Sequence, residues 1–173
     1  MNKIKTIFSI VPGRHRLGYA VFHRNKLIFY GIASLSSFKT KSEIDKAVER
    51  FLVRIVSRFQ IDRVAIRKLD KSQKESILLT ELTEHLKGLC KKQKIKVLPY
   101  DRNFINRHFC KSDERPTKDK TALSLVSTYP ELKRYRNLKQ EWQQRYYACI
   151  FKAIALGLVC LAELARKEDK KEY

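Results

Sequence analysis

The sequence is short of acid. Its 173 residues carry 18 Asp and Glu against 38 Lys and Arg, a formal net charge of +20. So one-sided a balance favours a polyanionic partner, because each phosphate contact releases condensed counterions. Nucleic acid is the first expectation. A ribosome-associated or anionic-membrane protein would share the same charge. Paired cysteines are also missing. Cys90, Cys110, Cys149 and Cys160 form no CxxC pair and have no zinc-finger spacing with histidine, which argues against a structural zinc. The N-terminal MNKIKTIFSIVPG has too short an apolar core for a signal peptide, and no small-residue cleavage site follows it. A reducing, intracellular and cytoplasmic setting is expected. No repeat and no linker divides the chain, so 1–173 reads as one domain whose 167–173 tail frays.

Long apolar runs are scarce too. The main one, Tyr146–Ala165, contains Lys152 and Glu163 and alternates small with large residues. Charges inside a membrane span are costly, so this stretch reads as the buried helix of a soluble domain and no membrane is expected. Hydrophobic residues make up 43% of the chain, enough for a globular core.

What is present has a clear order. Lys5–Val11, Leu17–His23 and Leu27–Ala33 have strand composition, with Pro12-Gly13 and Arg24-Asn25-Lys26 as short links. Ser42 is the expected N-cap of a helix whose apolar stripe is Ile44, Val48, Phe51, Leu52, Ile55, Val56 and Phe59. A strand follows over Ile61–Ile66, then a charged turn over Arg67–Lys74. The next helix spans Ser76–Lys91, its stripe Ile77, Leu78, Leu82, Leu86 and Leu89. Ile95–Tyr100 is a fifth strand, with Pro99 near its end. Asp101 caps a short helix over Asn103–Phe109, Thr117 or Asp119 starts another ending at Thr128, and a last helix spans Glu141–Lys167. Three strands joined by short loops, then strands alternating with helices, predict an α/β three-layer fold. Its mixed five-stranded sheet has three antiparallel strands, then parallel ones, flanked by helices.

Three stretches of this order resemble the RuvC-like Holliday-junction resolvases of the RNase H-like superfamily. Ile10-Val11-Pro12-Gly13 with Gly18-Tyr19-Ala20-Val21 is similar to the strand-turn-strand that delivers an aspartate before Pro-Gly. Val64-Ala65-Ile66-Arg67 is similar to the fourth strand, which ends on a glutamate. Ile150–Leu158, IFKAIALGL, is similar to the closing helix, where an aspartate precedes Ala-x-Ala-Leu. Thr117–Leu132 resembles the helix and Pro-Glu-Leu corner between them. The resemblance implies an RNase H-like fold, and a site where carboxylates hold two magnesium ions for in-line phosphodiester cleavage.

Position by position, the resemblance puts Val11 where the first aspartate stands, Arg67 at the glutamate and Lys152 at the last-helix aspartate. Cys149, one turn before Lys152, replaces a further acid. No catalytic residue, metal ligand or cofactor is therefore expected. The reading is a pseudo-nuclease, a non-catalytic nucleic-acid-binding protein whose former active-site face binds phosphate without metal. The expected contacts are Arg14, His15, Arg16, Arg67, Lys68, Lys71, Arg102, Arg107, Lys118, Lys120, Arg134, Arg136, Arg145 and Lys152. Those after the fourth and fifth strands leave the sheet edge where open α/β sheets bind ligands. The others lie in the first turn and along the approach to the last helix, where they would converge if the fold holds. Tyr135, Trp142, Tyr146 and Tyr147 interleave the last cluster and either stack on unpaired bases or pack the helix onto the sheet. DNA is favoured over RNA, with DNA recombination the implied setting and a homodimer or larger nucleoprotein complex the implied assembly. Two alternatives stand beside this reading. One is an active structure-specific endonuclease using Mg²⁺ on relocated ligands from Asp113, Glu114 and Asp119. The other is an inactive interaction subunit.

Overall fold

The computed structural model describes residues 5–74 and 76–170, without the side chains of Gln73 and Lys74. Its strands are β1 (Thr6–Pro12), β2 (Arg16–His23), β3 (Lys26–Ser34), β4 (Arg63–Arg67) and β5 (Lys96–Tyr100), in the sheet order β3-β2-β1-β4-β5. β1, β2 and β3 pair antiparallel, whereas β4 and β5 run parallel to β1. The helices are α1 (Lys41–Phe59), α2 (Lys71–Lys74), α3 (Ile77–Lys92), α4 (Arg102–His108), α5 (Lys118–Thr128), α6 (Lys133–Arg136) and α7 (Glu141–Asp169). This is the α/β mixed sheet with helices on both faces that the element order predicts.

Local chemistry explains most boundaries. Arg24 and Asn25 both have positive φ, 48° and 65°, and so make a two-residue turn whose twist matches the β2–β3 hairpin. α1 starts two residues earlier than expected. Thr40, not Ser42, is its N-cap, because Glu43 then falls at the third helical position and the two residues exchange side-chain-to-backbone bonds. The stretch after β4, expected as a turn, contains α2. The basic stretch after α5 folds into the short 3-10 turn Pro130–Leu132 and α6. α7 runs to Asp169, inside the expected tail; 171–173 lie outside the described residues.

Alternation along the strands sorts the core into two layers. Phe8, Ile10, Leu17, Val21, Val64 and Ile66 meet α1 and α3 on one face. Ile7, Val11, Ala20, Phe22 and Ala65 meet α7 on the other. Leu82, Leu86 and Leu89 of the expected α3 stripe are buried, whereas Ile77 and Leu78 in the first turn are exposed and Leu79 and Thr83 are buried in their place.

Candidate nucleic-acid interface

The site is set by how closely α7 lies on the sheet. The fully buried Ser9 donates its hydroxyl hydrogen to the Ala153 carbonyl at 2.6 Å. That bond ties a mid-helix carbonyl to the middle of β1. Gly18 permits the approach, since a Cβ there would stand 2.3 Å from the Cys149 carbonyl oxygen. Gly157 does the same further along, where a Cβ would meet the Phe22 ring at 2.1 Å. These contacts seat the middle of α7 over β1 and β2 and fix Cys149 and Lys152 beside the C-terminal ends of β1 and β4. By length and composition α7 is long and apolar enough to cross a membrane, but its apolar residues from Cys149 to Cys160 are largely buried against the sheet.

Beside this seat opens a cleft of about 440 Å³ between β4, α4, α5, α6 and the first half of α7. Arg67, Arg102, Lys118, Arg136, Arg145 and Lys152 line it, against the acids Asp119 and Glu141. Strand alternation puts Arg67 there: Val64 and Ile66 point to the α1 side, so Ala65 and Arg67 point to the α7 side. Only 7% of Arg67 is exposed. Among the described residues, no hydrogen bond or ion pair within 4 Å holds its guanidinium. Burial lowers its pKa from the ordinary arginine value, with Asp70 opposing and Arg102 adding to the effect. Lys152 is exposed within the cleft, and its pKa is lowered first by crowding away from bulk water, then by Arg67, with Arg102 and Lys118 adding. A cluster of cations so weakly compensated is an electrostatic well for an anion.

The magnesium site implied by the resemblance does not fit this donor set. Hard divalent cations need carboxylate, carbonyl or water oxygens. Here Val11 is buried in the apolar core, and Cys149 is a buried thiol whose pKa is pushed up by burial. The other two positions are the cations Arg67 and Lys152. Among the described residues, no three His, Cys, Asp or Glu side chains stand together to hold a metal ion. The relocation candidates Asp113, Glu114 and Asp119 form no such group, although Asp119 lines the cleft. Glu114 pairs with Lys120 at 3.1 Å, which is the main cause of its lowered pKa. Asp119 belongs to the first turn of α5, not to a mobile loop.

The remaining expected contacts divide. Arg102, Lys118, Arg136 and Arg145 line the cleft with Arg67 and Lys152. Arg102 also pairs with Asp70 at 3.6 Å, and Arg145 with Glu141. Arg107 and Lys120 do not line it. Arg107 donates to the Glu114 carbonyl at 2.9 Å and Lys120 holds the Glu114 carboxylate, so the two fasten the loop before α5. Lys68 and Lys71 are exposed beyond β4; Lys74's side chain lies outside the described residues. Arg14 and His15 are exposed in the β1–β2 turn, and the Arg16 guanidinium lies 4.7 Å from the centre of the Tyr146 ring. Arg134 lies over Tyr135 at the same distance. Tyr135 packs on Tyr147, and Tyr147 on Tyr146. Trp142 does not pack onto the sheet. It is 65% exposed, because the first turns of α7 project past the strand ends.

Among the lining residues that went unforeseen are the amides Asn106 and Gln144. The Asn106 carbonyl oxygen accepts the Thr121 hydroxyl at 3.0 Å, and the Gln144 amide nitrogen donates to the Leu138 carbonyl at 2.7 Å. Neither has a charge or a periodicity that a sequence reading could seize on.

No family model matches the chain, and no curated protein does. Solved structures do. The Thermus thermophilus RuvC complex with a Holliday-junction substrate superimposes with a TM-score of 0.66 at 15% identity, covering 90% of this chain and 91% of that one. The yeast mitochondrial Holliday-junction resolvase Ydc2 gives 0.63 at 12% identity, covering 88% and 77%. The chain therefore has the RuvC-like form of the RNase H-like fold.

Proposed function

We propose that this chain is a non-catalytic nucleic-acid-binding protein, with DNA favoured over RNA, that engages phosphate through the basic cleft without a metal ion. One observation carries the reading. Arg67 is 7% exposed, lacks a hydrogen-bond partner among the described residues and opens onto a cleft that Lys152, Arg102 and Lys118 also line. A carboxylate cluster repels phosphate until metal neutralises it. Fixed cations attract phosphate directly, and a guanidinium can grip two phosphate oxygens at once. The net charge of +20 supplies the long-range attraction around that point. The solved structures that share the fold include RuvC bound to a Holliday junction, which makes a branched DNA the first ligand to try.

The test mixes purified protein with a labelled four-way junction, matched duplex and single strand, in EDTA or in Mn²⁺, on native and denaturing gels. Metal-independent binding without cutting is the expected result. Arg67→Glu with Lys152→Glu should weaken binding about a hundredfold, the scale for a desolvated charge contact. It should also flatten the log–log salt dependence by roughly 1.5, two phosphate contacts' worth. Metal-dependent cutting that survives stringent purification would overturn the reading, as would unchanged affinity in the double variant.

A further inference from the structure

The cleft is not only basic. Ile105, Ala122 and Ala155 also line it, one turn along the same helices from Arg102, Lys118 and Lys152, and with Phe151 give it an apolar wall beside the cations. Asn106 and Gln144 stand among its lining with their amides already oriented by the protein. With its carbonyl oxygen taken by Thr121, Asn106 has its amide hydrogens left to donate. With its nitrogen committed to Leu138, Gln144 has its carbonyl oxygen left to accept. A phosphate needs neither an apolar wall nor a hydrogen-bond acceptor. A nucleobase needs both: flat faces that prefer apolar contact, and an edge that carries donors and acceptors together.

Size points the same way. About 440 Å³ lies within the roughly 300–1,000 Å³ of pockets that take one small ligand. A base pair with both its backbones cannot enter such a space, and a lone phosphate would leave most of it empty.

Building on the phosphate-binding reading above, we infer that the cleft takes one unpaired nucleotide of a DNA strand, its phosphate on Arg67 and Lys152 and its base against the apolar wall beside Asn106 and Gln144. Specificity is then for unpaired or extruded nucleotides in a strand, with the duplex on either side held by the exposed cations. An unpaired base enters without the cost of breaking a pair, so a bulge, a junction crossover or a single strand binds before a perfect duplex does.

The test compares the wild-type protein on a perfect duplex, the same duplex with one bulged nucleotide, and a single strand, followed by fluorescence anisotropy. The bulge is expected to raise affinity about tenfold, and 2-aminopurine at the bulge to change its fluorescence on binding. Ala122→Trp fills the apolar half of the cleft and should erase the bulge advantage; Asn106→Ala should cut it about threefold. Equal affinity for bulged and perfect duplex, with a silent 2-aminopurine, would overturn the inference. If the charge-reversed variant still bound all DNA weakly, the phosphate reading would stand alone. If charge reversal also changed nothing, both would fall together. Competition with a deoxynucleoside 5′-monophosphate separates the remaining source of the same chemistry. Displacement of DNA by micromolar mononucleotide would make the cleft a free-nucleotide site and overturn the assignment to a strand; displacement only at millimolar levels supports it.

Discussion

The two faces of the sheet are built from the same five strands and do opposite things. Towards α1 and α3 the face is large and apolar: Phe8, Ile10, Leu17, Val21, Val64 and Ile66 meet Val48, Leu52, Ile55 and Leu86. Its rings interlock, Tyr19 with Phe51 at 5.0 Å and with Phe29 at 5.7 Å. Full burial of each such side chain contributes roughly 1.5–3 kcal/mol. Towards α7 the face is partly small and polar. Ser9, Gly18, Ala20 and Ala65 let the helix backbone come close, and the face ends on the buried cation Arg67. Both faces hold a large apolar core, and the second also accommodates a charge that weakens the fold and suits an anion.

The comparison can be broken from either side. On the apolar face, Leu52→Ala should lower unfolding free energy by about 3 kcal/mol through the cavity left in a fully packed site. It should leave DNA affinity per folded molecule unchanged; a matching loss of affinity would show the faces to be coupled. On the cation face the expected signs reverse. Arg67→Met removes a buried charge with no hydrogen-bond partner among the described residues and should raise stability by about 1–2 kcal/mol, while weakening DNA binding about tenfold. Chemical denaturation and anisotropy on the same preparation check both halves. A destabilised Arg67→Met protein would mean that the guanidinium holds the fold and not a ligand.

The smallest effect sharpens the contrast by pH. Crowding and Arg67 lower the Lys152 pKa in the folded chain. Between that lowered value and the ordinary lysine value, the unfolded chain binds more protons, so stability should rise with pH across this window. DNA affinity should fall across the same window, a few-fold, as the ammonium loses its charge. Lys152→Arg should abolish the fall. A parallel rise in both quantities would show that Lys152 does not meet the DNA.

Much of this was legible in the chain. β-branched runs placed the strands and helical spacing placed α1, since both patterns follow from which faces are buried, while a capping residue placed α5 and a long apolar run placed α7. The cleft was legible as basic clusters after β4 and β5 and on the way to the last helix, which holds for Arg102, Lys118, Arg136 and Arg145. What was not legible depends on three-dimensional neighbours. An arginine at the end of an apolar strand reads the same whether solvated or sealed, so the burial of Arg67 had no signature. Arg107 and Lys120 look like phosphate contacts until their distance from Glu114 is known. Ser42 and Thr40 are both competent caps, and the spacing to Glu43 decides between them. Trp142 scans as core because tryptophan often is, yet its turn of helix projects past the sheet.

The close seat of α7 on Gly18 also divides that helix in time. Backbone amides from Cys149 to Cys160 lie under the Ser9 bond and the glycine contacts, and would exchange with deuterium only when the whole sheet opens. The turns from Glu141 to Ala148 are exposed or half-buried and have no such tether, so they exchange by local fraying. One helix then has a slow half that carries Phe151, Lys152 and Ala155 and a fast half that carries Gln144 and Arg145, so one cleft is lined by segments that open on two timescales.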